Sequence, residues 1–203
     1  PLILFSGHGG EFKASAAAYT NKCLQVHVHQ HQPGCQASRL KIHLGQGLSR
    51  SEKMDYSIQK AVELGVSSLT PLFTEYCIVK LPKARQEKKL AHWRATVISA
   101  CEQSGRTDVP TLHAPVTFLE WIKHAHTGAR LIADPRATKT IQHHTRDLTA
   151  NLLLGPEGGF SPEEYALAEQ SAFKPLSLGP RVLRTETATV AALSTLQSHW
   201  GDS

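Results

Sequence analysis

The stretch Gly155-Pro156-Glu157-Gly158-Gly159-Phe160-Ser161-Pro162-Glu163-Glu164 follows an apolar run, Leu152-Leu-Leu154. Ser161 is a natural N-cap, Pro162 suits the first helical position, and Glu164 completes a capping box. The stretch therefore reads as a tight turn from a buried strand into a helix, with Phe160 at its end. Two adjacent glycines allow positive φ and let a flat ligand reach the main chain with no Cβ in the way. An ordinary structural turn uses the same residues, so the glycine pair alone does not separate a binding loop from a bend.

Two more short apolar runs have the same form. Leu131-Ile-Ala133 leads into Asp134-Pro135-Arg136, and Leu176-Ser-Leu178 leads into Gly179-Pro-Arg181. Short continuous apolar strands alternating with helical patterns indicate an α/β fold, with a parallel sheet covered on both faces. Ligands of such sheets bind beyond the carboxyl ends of the strands, which places these three turns together at one edge.

Towards the N-terminus, Leu40, Ile42 and Leu44 alternate as a strand. Ser49-x-x-Glu52 is a candidate capping box for a helix with Met54, Ile58, Ala61 and Val62 on its apolar face, stopped at Gly65. Val66 to Phe73 returns as a β segment. A second helix is expected after the basic segment, with Leu90, Trp93, Val97, Ala100 and Cys101 inward and Ser104-Gly105 as its end. The first stretch reads as β: Leu2-Ile-Leu-Phe5, then the turn Ser6 to Gly10, then Cys23 to Val28. Polar residues 30–38 contain Pro33-Gly34, a turn and candidate domain boundary. The expected division is a β module over 1–35 and a larger domain over 36–203. The chain opens at Pro1 inside a running strand and without Met, so a preceding segment is expected.

In Leu178-Gly-Pro-Arg-Val-Leu-Arg-Thr-Glu-Thr-Ala188, Arg181 and Arg184 straddle the apolar pair Val182-Leu183, and an uncharged Ala- and Leu-rich helix follows. Phosphate or base recognition would use such chemistry, and salt bridges to Glu157 or Glu186 are the alternative. Neither glycine loop is a Walker loop, because no Lys-Ser/Thr follows, and neither fits GxGxxG.

Hydrophobic residues at 40% and charged residues at 19% exclude wholesale disorder, and no apolar run approaches the ~20 residues of a membrane span. The net charge of +5 is concentrated: Lys80, Lys83, Arg85, Lys88, Lys89 and Arg94 stand against the single anion Glu87, leaving the remainder neutral. That is the footprint expected for a polyphosphate partner, although a solvated lysine-rich helix face looks the same. Cys23, Cys35, Cys77 and Cys101 show no CxxC spacing and read as free, buried thiols of a reducing compartment. His27, His29 and His31 alternate on a strand without a nearby acidic or cysteine ligand. They read as surface or RNA-facing groups, as do His143-His144 and His124-x-His126, and no metal site is expected.

Gly155 to Glu164 and Leu178 to Ala188, with Lys53-Met-Asp-Tyr-Ser-Ile-Gln-Lys-Ala-Val-Glu-Leu-Gly65 and Ala100-Cys-Glu-Gln-Ser-Gly-Arg106, closely resemble segments of the RsmE family of ribosomal RNA methyltransferases. The resemblance covers nearly the whole chain, with the four segments in the right order. It implies an S-adenosylmethionine-dependent enzyme that methylates N3 of a uridine in 16S ribosomal RNA. It also implies a SPOUT domain with a C-terminal trefoil knot, which periodicity cannot reveal. A PUA-like barrel would precede it, represented here by its latter part only. The family likeness further implies a cytoplasmic homodimer with its site at the subunit interface. Cofactor binding falls on Leu154, Gly155, Glu157, Gly158 and Gly159, and on Leu178, Gly179, Val182, Leu183 and Arg184. RNA contact falls on Lys80, Lys83, Arg85, Lys88 and Lys89, with Arg136 and Arg181 from the strand-end turns.

Uracil N3 is a poor nucleophile while protonated, so methylation needs the proton removed or the anion stabilised. Arg184 or Arg106 is expected to stabilise charge on the uracil carbonyls. Glu157 or Glu186 is a candidate base, with capping or arginine pairing as the alternative for each. The rival classes are an RNA-binding assembly factor that has lost cofactor use, and a SPOUT enzyme acting on a ribose hydroxyl.

Overall fold

The computed structural model describes residues 2–20, 22–33, 38–124 and 127–201. Pro1, Gly34, Cys35, His126 and the boundary at 35/36 lie outside the described residues. In chain order the elements are β1 (Leu2–Leu4), β2 (Glu11–Thr20), β3 (Cys23–Gln32), β4 (Lys41–Gly47), α1 (Ser51–Glu63), β5 (Ser68–Phe73) and α2 (Lys83–Ser104). They continue with β6 (Thr111–Leu112), β7 (Val116–Thr117), α3 (Phe118–Lys123), β8 (Ala129–Ala133), β9 (Thr149–Leu154), α4 (Pro162–Gln170), β10 (Lys174–Leu176) and α5 (Thr185–Trp200).

The larger sheet runs β10-β8-β9-β4-β5-β6 with β7 also beside β5, and every pairing is parallel. Leu131 to Ala133 and Leu152 to Leu154 lie in β8 and β9, which are covered on both faces. The strand expected at Leu176 to Leu178 is displaced: edge strand β10 ends at Leu176, with Lys174 and Pro175 exposed. In β9, Leu152 and Leu154 pack under α1, α2 and α5, whereas Leu153 joins Trp121, Phe160 and Phe173 on the side of α3 and α4. The expected inward faces of α1 and α2 are buried, except that Leu90 is only half-buried.

β1, β2 and β3 form an antiparallel sheet that does not close into a barrel among the described residues. β2 has no counterpart in the sequence reading. Its Glu-Phe-Lys-Ala-Ser-Ala-Ala-Ala-Tyr-Thr run lacks clean alternation, and only Ala14 within it is buried. The module is tied to the segment between α2 and β6 through Gly7, whose carbonyl accepts from Val109 N at 3.0 Å, and Gly9 N, which donates to Thr107 O at 3.1 Å.

Three local expectations need correction. Ser49 and Glu52 form no capping box: α1 starts at Ser51 behind Arg50, which makes no side-chain cap. Ser49 is instead buried, its hydroxyl turned to Met54 Sδ at 4.0 Å. α2 does not follow the basic segment but begins inside it, at Lys83 behind Pro82. Cations in a first turn oppose the helix dipole, which is why helix-start rules do not find this one. Cys23 is exposed rather than buried, unlike Cys101.

Candidate active site

Because all strands of the larger sheet are parallel, the turns after β8, β9 and β10 lie at one edge. They enclose a cavity of about 390 Å³, within the usual range for small-molecule sites. The two glycine loops do not follow neighbouring strands: β8 stands between β9 and β10, and its turn at Asp134-Pro135 also lines the cavity. Leu154, Leu176, Leu178, Val182 and Leu183 supply apolar lining, and Gly155, Gly158 and Gly179 supply bare main chain. Gly179 has φ +108°, a conformation other residues rarely adopt, so this turn requires glycine.

The first loop is braced from below. Ser161 and Glu164 make the expected capping box: Ser161 Oγ accepts from Glu164 N at 3.2 Å, and Glu164 Oε2 accepts from Ser161 N at 2.9 Å. Glu164 Oε1 also accepts from Glu75 N at 3.0 Å. Burial pushes the Glu164 carboxyl up from its ordinary value despite these hydrogen bonds. Tyr76 sits against Gly158, where a Cβ would come within 2.8 Å of the Tyr76 Cβ. The segment entering α2 thus rests on the cavity loop.

The second loop is braced by a polar cluster in the core. Thr185 Oγ1 donates to Gly155 O at 2.8 Å and accepts from Gln46 Nε2 at 3.1 Å. Thr189 Oγ1 lies 2.9 Å from both Gln46 Oε1 and Thr185 O. Gln46, Thr185 and Thr189 are all buried. A single side chain on β4 therefore fixes the start of α5 against the loop after β9. Nothing in the sequence marks Gln46 beyond an amide in an apolar strand.

Lys53 of α1 also lines the cavity, with its ammonium 3.5 Å from Glu157 and 3.8 Å from Glu186. Arg50 N donates to Glu157 Oε1 at 3.3 Å. Each glutamate keeps one buried oxygen, Oε2, without a protein hydrogen bond. The arginine pairing weighed from sequence is replaced: Lys53 takes both carboxylates, and Arg181 and Arg184 stand exposed.

An RNA methyltransferase domain family matches residues 36–197. The chain is 40% identical to the ribosomal RNA small subunit methyltransferase E of Buchnera aphidicola from Schizaphis graminum, covering 99% of this chain and 82% of that protein. The chain belongs to the ribosomal RNA small subunit methyltransferase E family. Among solved structures, the Neisseria gonorrhoeae methyltransferase E bound to S-adenosyl methionine matches with a TM-score of 0.92 at 34% identity, over 99% of this chain and 84% of that one. A Legionella pneumophila methyltransferase in complex with the cofactor SAM matches with a TM-score of 0.96 at 43% identity, over the same shares of the two chains.

In this methyltransferase E family member the ten residues expected to bind cofactor all line the one cavity. Glu157 lines it too, whereas Glu186 reaches it only through Lys53. Arg106 is not brought there. α2 returns from the carboxyl edge of β5 to the amino edge of β6, so its end lies at the opposite edge of the sheet. There Arg106 donates to Asp108 through Nε (3.1 Å) and Nη2 (2.9 Å) and to Val62 O at 3.0 Å.

The basic segment follows Tyr76, which packs against Gly158 of the cavity loop. Lys80, Lys83, Arg85 and Lys88 are exposed, but Lys89 is committed to Asp55 at 3.2 Å and to Ser51 Oγ at 2.6 Å. Burial works to raise the Asp55 carboxyl, but hydrogen bonds from His92 and Lys89 and their charges hold it below its ordinary value. Arg136 is paired with Asp134, and Arg181 lines the cavity. Among the described residues no three His, Cys, Asp or Glu side chains gather as metal ligands, and no helix is long and apolar enough to cross a membrane. His27, His29 and His31 are exposed, His29 bonding Ser15 Oγ at 2.8 Å and His31 stacking near Phe12.

Proposed function

We propose that this chain transfers a methyl group from S-adenosylmethionine to N3 of a uridine in 16S ribosomal RNA of the small ribosomal subunit. One observation carries the reading: the two loops shared with the methyltransferase E family converge on a single cavity at the carboxyl edge of the sheet. Its apolar walls suit a flat purine, and its glycine turns offer main-chain groups for the purine's edge. Leu154, Gly155, Glu157, Gly158 and Gly159 would hold the cofactor from one side. Leu178, Gly179, Val182, Leu183 and Arg184 would hold it from the other. The cofactor supplies a methyl group already activated on a sulfonium, so the transfer calls for no metal.

The chain's own residues deal with the uracil. Arg184 lines the cavity with no carboxylate paired to it among the described residues, so it is the cation we assign to negative charge on the carbonyls flanking N3. Arg106, held by Asp108 at the other edge, has no such access within one chain. Glu157 is the better candidate than Glu186 for receiving the N3 proton, because it lines the cavity and Glu186 does not. Lys80, Lys83, Arg85 and Lys88 provide the basic surface that RNA phosphates would follow, with Arg181 at the cavity itself.

The family likeness supports a SPOUT domain over 36–203 with a C-terminal knot, preceded by a PUA-like RNA-binding module over 1–35. The bond from Thr185 to Gly155 O, which ties the last helix to the loop after β9, agrees with a threaded C-terminus. A cytoplasmic homodimer is part of the same reading. Val182, 82% exposed on the cavity lining, is a large apolar side chain suited to a partner subunit. Incubation with labelled S-adenosylmethionine and unmethylated 16S ribosomal RNA tests the proposal. Label should enter the RNA. No label in the RNA, with the chain folded, would overturn it.

A further inference from the structure

Asp134 and Tyr165 both line the cavity, one from the turn after β8 and the other from α4. Arg136 is locked between them. Its Nε and Nη2 donate to the two Asp134 oxygens at 3.0 Å each, and its backbone N–H donates to Asp134 Oδ1 at 2.9 Å. Its guanidinium carbon lies 4.5 Å from the centre of the Tyr165 ring. Despite these contacts the side chain is 68% exposed.

We propose that the outer face of the Arg136 guanidinium is a stacking platform for a nucleobase of the bound RNA, next to the nucleotide that enters the cavity. The inference rests on the RNA methyltransferase reading above. An exposed arginine ordinarily samples many rotamers, and ordering it costs entropy on binding. Here the cost is already met within the free protein, which leaves a fixed, flat cation at the cavity rim. A phosphate would use a two-donor edge of the guanidinium together with its full charge. One such edge, Nε and Nη2, is occupied by Asp134, whose charge also offsets that of Arg136. The Nη1 end can still donate, but from a guanidinium whose charge Asp134 offsets; the broadest surface on offer is the planar face, with the Tyr165 ring behind it. Bases of any sequence stack on such surfaces, which suits a position that must grip RNA beside its target without reading it. The expectation that Arg136 meets RNA is thereby given a definite form: it meets a base, not a phosphate.

The test compares the unaltered chain with Arg136→Lys, using unmethylated 16S ribosomal RNA as the probe and titrating S-adenosylmethionine separately. Lysine keeps the charge and loses the plane. RNA affinity should fall about tenfold at every salt concentration, in line with the loss of one base stack, while cofactor affinity holds. Tyr165→Leu removes the backing ring and should produce a similar loss, whereas Tyr165→Phe should not. A lysine variant with unaltered RNA affinity would overturn the platform, because charge alone would then suffice. Loss of cofactor affinity with RNA affinity intact would also overturn it, assigning the plane to the cofactor. If the unaltered chain binds both RNA and cofactor, these failures leave the methyltransferase reading standing. If it binds neither, that reading fails first.

Discussion

Lys53 Nζ stands 3.5 Å from Glu157 Oε1, joining the first turn of α1 to the loop that closes the cavity. The same ammonium lies 3.8 Å from Glu186, so one lysine separates two carboxylates from the two loops. Lys53→Met would leave the glutamates facing each other without a counter-charge. Stability should fall by about 1 kcal/mol, read as a lower urea midpoint. S-adenosylmethionine affinity should fall about tenfold by calorimetry as the loops separate. A variant with unchanged cofactor affinity would show that the ion pairs serve the fold alone.

Thr185 links Gln46 to the Gly155 carbonyl in a buried position. Thr185→Val keeps the shape but removes the donor to Gly155 O and leaves Gln46 Nε2 with only the 3.4 Å bond to Gly47 O, at a cost of about 1–3 kcal/mol. Thr185→Ser should restore most of the lost stability and cofactor affinity. Equal behaviour of the Val and Ser variants in denaturant titration would refute the bridging role.

Acid should weaken the contact between α1 and α2. The folded-state value of Asp55 is lowered below 3.8, so its contribution is fully present above that pH and is lost as pH falls through the lower folded value. The stability gap between the unaltered chain and Asp55→Asn should therefore be constant near neutrality and close below about pH 4. Trp93, whose Nε1 donates to Asp55 at 3.0 Å, offers a fluorescence signal for the same transition. A gap that persists at low pH would contradict the sign of the shift.

Along the basic segment the structure separates exposed cations from a structural one. Replacing Lys83, Arg85 and Lys88 with Ala should reduce the salt slope of RNA binding by about two, at roughly 0.7 per contact to a single strand. Lys89→Ala should instead lower the unfolding midpoint, since Lys89 is held by Asp55 and packs over Trp93. An unchanged slope in the triple variant would remove this surface from the RNA path.

Much of the site could be read before the structure because its signals are local. Ser161, Pro162 and Glu164 lie within one turn, and the runs ending at Ala133 and Leu154 mark strands covered on both faces, while the run at Leu176 to Leu178 overlaps edge strand β10 only at Leu176. The same local pattern misled at Ser49 and Glu52. Leu48 N donates to Leu72 O at 2.9 Å, which prolongs the strand-like path and draws Ser49 into the core before α1 can start. The position of Arg106 is hidden for a different reason. Spacing along a chain does not say at which edge of a sheet a helix ends, and α2 carries Arg106 away from the cavity. Lys53 and Gln46 were out of reach because their partners, Glu157 and Thr185, are distant in sequence and meet them only through the parallel sheet.

The most direct test of the central claim is chemical mapping of the product. Unmethylated small-subunit RNA is incubated with the chain and S-adenosylmethionine, digested to nucleosides and examined by mass spectrometry. The account predicts 3-methyluridine, strongly reduced for Arg184→Ala under conditions where that variant still binds cofactor. A methyl group on a ribose hydroxyl, or on a base other than uracil, would contradict it.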